Sequence, residues 1–411
     1  MANLLYLVHR LPYPPNKGDK VRSYHLLKHL AARHKVYLGT FVDDPDDMRH
    51  LPTVRALCAD VCAVPLRPLA AQLRSLGGLL SGEPLTLGYY RSRALRHWVA
   101  RTLAGQQIDA AVVFSSSMAP YVLAVPGLPM LADLVDVDSA KWAEYAQRNR
   151  WPLSWLYRRE GARLLAYERS VVAGARRSFL VTDKEVALFG QLAPESCGQV
   201  LALGNGVDSD FFRPDAALPS PFAAGELPLV FTGAMDYWPN VDAVTWFVAE
   251  ALPLLRRRWP ALRLHIVGRC PTSAVLALAG PAVVVSGTVP DVRPYLQHAA
   301  VVVAPLRLAR GVQNKVLEAM AMASPVVAAQ PCVDAIDAQP GRDILAAETP
   351  ADYVGQISAL LANPVQAAVV GLAGRACVLS GYSWAARLSG IDGELSRAIA
   401  PQAATEPEVM L

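Results

Sequence analysis

An α/β fold of two doubly wound domains is what this chain predicts, and three observations carry that prediction. Short apolar, β-rich runs alternate with helical stretches along the 411 residues, which is the pattern of parallel strands joined by covering helices. The alternation restarts near the middle, so two series of roughly 200 residues follow one another. Hydrophobic residues make up 53% and charged residues 18%, which excludes a disordered chain and supplies enough apolar side chains to cover both faces of two sheets. The 39 Lys and Arg against 35 Asp and Glu leave a formal charge of +4, too weak to argue for nucleic acid as a partner.

The first series starts with a strand at 4–8, a helix over 19–33 and a strand at 35–41. Buried strands follow at 110–114 and 130–135. A long amphipathic helix is expected over 151–174, then strands at 178–181 and 199–203. The second series reads as a strand at 227–232, helix 243–259, strand 262–267, helix 273–278 and strand 283–286. A short element at 292–297, strand 300–304, helix 312–323 and strand 326–328 complete it. Between the two lies turn chemistry, Asn205-Gly206-Val207-Asp208, and a Pro- and Gly-bearing linker from Pro219 to Gly225. Residues 1–205 are therefore expected as one domain and 206–381 as the other, with 382–411 as a returning helix and a frayed tail. Open α/β sheets bind ligands beyond the carboxyl ends of their strands, so two such domains imply a cleft with the chemistry inside it. No run of 18 apolar residues predicts a membrane span, and the apolar start lacks the basic leader of a secretory signal. Six sparse cysteines, only Cys58 and Cys62 near each other, read as buried thiols of a reducing cytoplasm.

The most informative stretch runs from Pro305 to Met322. A buried strand ends, a loop carries Arg310 and Gly311, and a helix is expected from Val312. Free N–H groups and the macrodipole at a helix start attract anions, and Gly311 permits close backbone approach. Lys315, one turn in, is within reach of a phosphate. Glu318, three residues on, is placed to accept hydrogen bonds from ribose hydroxyls. Spacing alone also allows an ordinary strand–loop–helix unit with a solvated Lys–Glu pair.

Glu318, Ala319-Met320-Ala321 and Pro325-Val326-Val327 together resemble the donor site of GT-B glycosyltransferases of family 4 (glycosyltransferase group 1). Other matches follow in the family's order. Val181-Thr182-Asp183-Lys184-Glu185 precedes Asn205-Gly206-Val207-Asp208 with Phe212 and Pro214. The run ending Gly268-Arg269 resembles the strand that delivers a phosphate-binding Arg. Gly287-Thr288-Val289-Pro290-Asp291 resembles the loop that holds the nucleotide base. Tyr382-Ser383-Trp384 resembles the start of the crossover helix. The resemblance implies a GT-B fold, with two Rossmann-like domains facing across a cleft and a nucleotide-diphosphate sugar as co-substrate in place of any cofactor. It places Gly18, Gly233, Arg269, Val289, Arg310, Gly311, Val312, Asn314, Lys315 and Glu318 at the donor. Where the family carries a first Glu, eight residues before Glu318, this chain has Arg310, which implies a contact with the diphosphate or a carboxylated sugar. Gly233 with Pro239-Asn240, and the opening from His9 to Tyr24, resemble the sugar transferases associated with exosortase (PEP-CTERM) systems.

Three further features complete the reading. Gly18 lets backbone approach the donor, and Lys17, Lys20 and Arg22 add positive charge; the absence of Gly-x-Gly-x-x-Gly argues against a dinucleotide. Asp136 and Asp138 follow a strand end, where they either line the cleft as catalytic groups or cap a helix together with Ser139. GT-B sites offset diphosphate charge with Arg and Lys, so Arg269 and Lys315 are the expected catalytic cations and no metal ligand set is assigned. The apolar, basic surface over 69–90, with Trp98, Arg91, Arg93, Arg96 and Arg101, either rests on an anionic membrane or is a core helix with a solvated face. The expectation is a retaining, metal-independent transferase at the cytoplasmic face of the membrane, building a polyprenyl-linked exopolysaccharide precursor or other cell-surface glycan. The alternatives are a nucleotide-sugar epimerase of the same fold, or a non-catalytic nucleotide-sugar-binding scaffold.

Overall fold

A computed structural model describes residues 1–15, 18–307 and 312–400. They form two compact units, 1–205 with the segment from 387 onward, and 206–386. In the first unit seven strands make one sheet: β1 (Asn3–Val8), β2 (Lys35–Val42), β3 (Asp60–Pro65), β4 (Ala110–Phe114), β5 (Met130–Val135), β6 (Arg177–Leu180) and β7 (Val200–Ala202). Their spatial order is β3-β2-β1-β4-β5-β6-β7, every pair parallel. In the second, β8 (Leu227–Thr232), β9 (Leu262–Val267), β10 (Val283–Gly287), β11 (Val301–Ala304), β12 (Val326–Ala329) and β13 (Leu345–Ala347) lie in the order β10-β9-β8-β11-β12-β13, again all parallel. Strands covered on both faces read as unbroken apolar runs, and Leu4 to Val8 and Leu229 to Phe231 are buried throughout. Both sheets reverse strand order once, between β1 and β4 and between β8 and β11. Those reversals open the crevices in which α/β sheets hold ligands.

Two strands escape the sequence pattern. β3 is a half-buried edge strand that starts at Asp60 and ends at Pro65, and β13 is only three residues long. Helices shift at their starts. The helix expected from 151 begins at Leu153, after Trp151-Pro152. The one expected from 243 begins at Trp238, with Pro239 in its first turn, where a missing N–H costs nothing. That helix passes through a π-helical segment, Phe247–Ala251, before Leu252–Arg258. Pro253 cannot donate to the ladder there, and the widened turn accommodates its ring. The helix Pro364–Gly381 is long and apolar enough, by length and composition, to cross a membrane, against the expectation of no such segment. One side of it is packed: a Cβ on Gly371 would stand 2.0 Å from the Ala323 carbonyl oxygen. All six cysteines are free, and Cys197 and Cys270 are exposed rather than buried.

The largest correction concerns Lys20 and Arg22. Both are 1% exposed, on the helix Gly18–Ala31. Lys20 is paired with Asp47. Arg22 grips Asp133 with Nε at 2.8 Å and Nη2 at 3.0 Å, while Nη1 donates to the Leu203 carbonyl at 2.7 Å and to Asn205 Oδ1 at 3.0 Å. A guanidinium buried among apolar strands is tolerated only with its donors satisfied in this way, so neither cation is available to a ligand. Lys17 lies outside the described residues.

Candidate functional site

Of the residues assigned to the donor, Gly233, Arg269 and Lys315 are brought together at the carboxyl ends of β8 and β9, with Glu318 beside Lys315. β8 runs into Gly233 and β9 into Gly268-Arg269, and the two turns are laced together. The Gly233 N–H donates to the Val267 carbonyl at 3.0 Å, and the Met235 N–H to the Arg269 carbonyl at 2.8 Å. The approach is so close that a Cβ on Gly268 would sit 1.6 Å from the Gly233 carbonyl oxygen. Gly233 itself has φ +154°, and a Cβ there would stand 2.7 Å from Lys315 Nζ and 2.8 Å from Asn240 Nδ2. Two glycines thus keep backbone and lysine in contact where a side chain would separate them.

Lys315 is held from two sides. Its ammonium donates to Asn240 Oδ1 and lies 4.4 Å from the centroid of the Phe231 ring, a cation–π contact. Asn240 is 4% exposed and is fixed in turn by donating Nδ2 to the Ala234 carbonyl at 2.8 Å. Among the described residues no carboxylate forms an ion pair with Lys315. Burial lowers its pKa to about 8, with Cys332 and Glu318 pulling the other way. Glu318, half-buried on the same helix, is pushed up to about 7 by burial, and Lys315 moderates the shift. A lysine and a carboxylate are both titrating near neutral pH at a sheet's switch point, the kind of perturbation that marks ligand sites.

Arg269 is exposed and makes no side-chain hydrogen bond or ion pair among the described residues. Asn314, exposed, is the first residue of the helix Asn314–Ala321. Val312 was expected inside that helix and instead precedes it, because Gln313 is extended at the N-cap (φ −96°, ψ 109°). Val289 packs partly buried against the second core, in the loop after Gly287, whose φ is +66°. Arg310 and Gly311 lie outside the described residues. Asn240 and Phe231, which set the position of Lys315, had no role assigned from sequence. Pro239-Asn240 was visible as a motif, yet the contact across 75 positions was not.

Asp136 and Asp138 belong to the first unit. β5 ends on Val135 with φ +70°, a strained conformation for a β-branched residue. The strain turns the chain so that both carboxylates meet one ammonium: Lys141 Nζ lies 2.7 Å from Asp136 Oδ2 and 3.1 Å from Asp138 Oδ1. Although burial works against it, these two acids hold the Lys141 pKa up. Neither Asp138 nor Ser139 caps the helix Asp138–Arg148: the N-cap is Val137. Ser139 donates its backbone N–H and its hydroxyl to Glu168, and the Val137 N–H goes to Glu185. Gly18 is the first residue of the helix after β1.

Residues 226–363 match the family of Glycosyl transferases group 1. No curated protein matches the chain. Solved structures do. Sucrose-phosphate synthase from Thermosynechococcus elongatus is 19% identical over 97% of this chain and 98% of that one, with a TM-score of 0.59. A glycosyltransferase from Rickettsia africae is 10% identical over 97% and 99%, with a TM-score of 0.63. HepE from Anabaena, solved in complex with UDP, is 13% identical over 97% and 100%, with a TM-score of 0.59. At these identities the likeness establishes the fold.

Proposed function

We propose that this chain, whose fold matches solved GT-B structures and whose residues 226–363 match Glycosyl transferases group 1, is a glycosyltransferase that binds a nucleotide-diphosphate sugar at the Gly233–Arg269–Lys315 turn. The observation that carries the reading is the pair of cations there. Among the described residues Lys315 is positioned by Asn240 without an acidic partner, and Arg269 is exposed and makes no side-chain hydrogen bond or ion pair. Two such cations at the carboxyl ends of parallel strands suit a diphosphate. The binding of UDP by a protein of the same fold is consistent with it.

In the proposed reaction the bond between the sugar's anomeric carbon and the diphosphate oxygen breaks, and a bond to an acceptor hydroxyl oxygen forms. The acceptor's proton passes to the departing diphosphate. Arg269 and Lys315 neutralise the charge gathering on that leaving group, so stabilisation rises as the bond breaks. Glu318, as carboxylate, accepts from the ribose hydroxyls, and Arg310 and Asn314 act near the diphosphate or sugar. Gly311 and Val312 bring backbone to it, Val289 lies against the base, and Gly18 gives the donor room. For Asp136 and Asp138 we propose contact with the reacting sugar together with the Lys141 they hold. Retention of configuration, independence of metal, and a polyprenyl-linked exopolysaccharide precursor as acceptor rest on the family resemblance, as does the association with exosortase systems. The same holds for a cytoplasmic location in peripheral contact with an anionic membrane.

Calorimetric titration of the full chain with UDP, GDP, ADP and TDP, with and without Mg²⁺, tests the donor site. One nucleotide is expected to bind in both conditions and to lose affinity in Lys315→Ala; failure of all four to bind would sink the reading. The ionisations set the pH dependence. As pH rises through about 7, Glu318 gains its charge and donor capture improves; above about 8, Lys315 loses its proton and capture falls. The profile of kcat/KM for the donor is therefore expected to be a narrow bell. Glu318→Gln should flatten its acid limb, and Lys315→Arg should carry the alkaline limb out of range, because a guanidinium stays charged. A flat profile from pH 6 to 9 would contradict both roles.

A further inference from the structure

In the first unit, helix Pro68–Ser75 and the turn that follows carry a surface the donor chemistry does not use. Leu69, Leu73, Leu76 and Leu80 recur at spacings of four, three and four, one face of a helix, and helical geometry continues through Leu76 and Gly77. The inward side of the helix is spent on Ala71 and Ser75, which are buried. The leucine face points outward: Leu69 is 78% exposed, Leu73 71% and Leu80 96%. Its neighbours are apolar too. The Arg159 guanidinium donates to the carbonyl oxygens of Gly78 and Glu83, which lays the start of helix Leu153–Gly174 alongside the turn. One turn before Arg159 stands Trp155, 53% exposed, with Trp151 exposed just before the helix.

A third side of the same helix is cationic. Arg67, Ala70 and Arg74 line a pocket of about 520 Å³ with Phe41, Arg91 and Arg93, and no acidic side chain lines it. Arg74 is anchored, its Nε donating to the Gly88 carbonyl at 2.9 Å and its Nη2 to that of Tyr89 at 2.8 Å. Arg91 pairs with Glu83 at 2.8 Å. Arg67 and Arg93 make no ion pair or side-chain hydrogen bond among the described residues, so four arginines line one socket and two of them are uncommitted. Trp98, expected on this surface, is instead buried and donates to Asp60 at 2.9 Å, which ties helix Arg93–Gly105 to the start of β3. Leu87 is buried as well.

We propose that this face docks on an anionic lipid bilayer: the leucine stripe enters the acyl boundary and the four-arginine socket takes the phosphate of a lipid headgroup. Charge complementarity selects this occupant. A partner protein's apolar helix would cover the leucines and leave the socket without a counter-ion. A bilayer of acidic lipids supplies apolar chains and phosphates at adjacent depths, and exposed tryptophans beside them suit its interface. The inference deepens the membrane contact of the proposed function but stands on this surface alone.

The full chain would be floated with phosphatidylcholine vesicles and with vesicles one-third phosphatidylglycerol. Flotation is expected only with the acidic vesicles, to weaken with salt, and to be accompanied by a blue shift in tryptophan emission. Arg67→Ala/Arg93→Ala is expected to weaken partitioning by roughly 30-fold, at about the contribution of one cation each. Leu69→Ser/Leu80→Ser should abolish the blue shift. Because all four side chains are exposed, both variants should keep the native melting temperature and nucleotide affinity, so failure of the donor site and failure of this one are distinguishable. Equal partitioning of variants and parent would overturn the proposal, as would absence of the parent from acidic vesicles. Stabilisation of the parent by inorganic pyrophosphate, lost in the arginine variant and without vesicle binding, would make the socket a soluble-anion site and overturn it too. Concentration-dependent dimerisation abolished by the leucine variant, again without vesicle binding, would assign the face to a second copy.

Discussion

Replacing Lys315 by Ala is expected to lower kcat for sugar transfer by roughly 10²–10³-fold, the usual cost of deleting one preorganised group that meets developing charge. The fold should not suffer. Burial depresses the lysine's pKa to about 8 from its ordinary 10.5, so the folded state holds the proton less tightly than the unfolded chain does. The charged side chain therefore opposes folding at every pH below about 8, and that opposition fades as pH rises from 8 towards 10.5. Lys315→Met, which keeps the aliphatic packing against Phe231, should match or exceed the parent's melting temperature at pH 7 and lose that advantage near pH 10. A fall in both activity and Tm would mean that the lysine is part of the fold. Near-normal kcat with an intact fold would remove it from the chemistry.

The second large effect belongs to Arg22. Arg22→Ala leaves Asp133, 1% exposed, with no counter-charge, and withdraws the donors that held the Leu203 carbonyl and Asn205. Breaking one side of a buried ion pair costs about 3–5 kcal/mol, or roughly 6–20 °C in melting temperature for a domain of this size. Arg22→Ala with Asp133→Ala should recover part of the loss, since no buried charge then lacks a partner. Differential scanning calorimetry would read both. A single variant within about 1 kcal/mol of the parent would show that the network bears little of the fold.

Several parts of the molecule were legible because they depend on short-range rules. Apolar runs bounded by turn residues located β1, β4, β5, β8 and β9 almost to the residue, since strands covered on both faces admit little else. The stretch around Lys315 and Glu318 was legible for a related reason: one helix fixes their spacing. Two of the four edge strands, β3 and β13, were not. β3 pairs on one side only and carries Asp60 and Pro65, and its half-exposed positions show no strong pattern.

What the sequence by itself determined is the class of fold, two parallel sheets, and the identity of the cationic residues that fall near the strand-order reversal of the second. What only the tertiary structure decided is which charges are available. Lys20, Arg22, Arg269 and Lys315 are all cations in sequence. Two of them are sealed against Asp47 and Asp133, one is exposed and unengaged, and one is held by Asn240, 75 positions away, against an aromatic face. The same holds for the leucines of helix Pro68–Ser75, which sequence left open between core and surface. Solvation and pairing are properties of neighbours in space, and the partners that set them lie far apart along the chain.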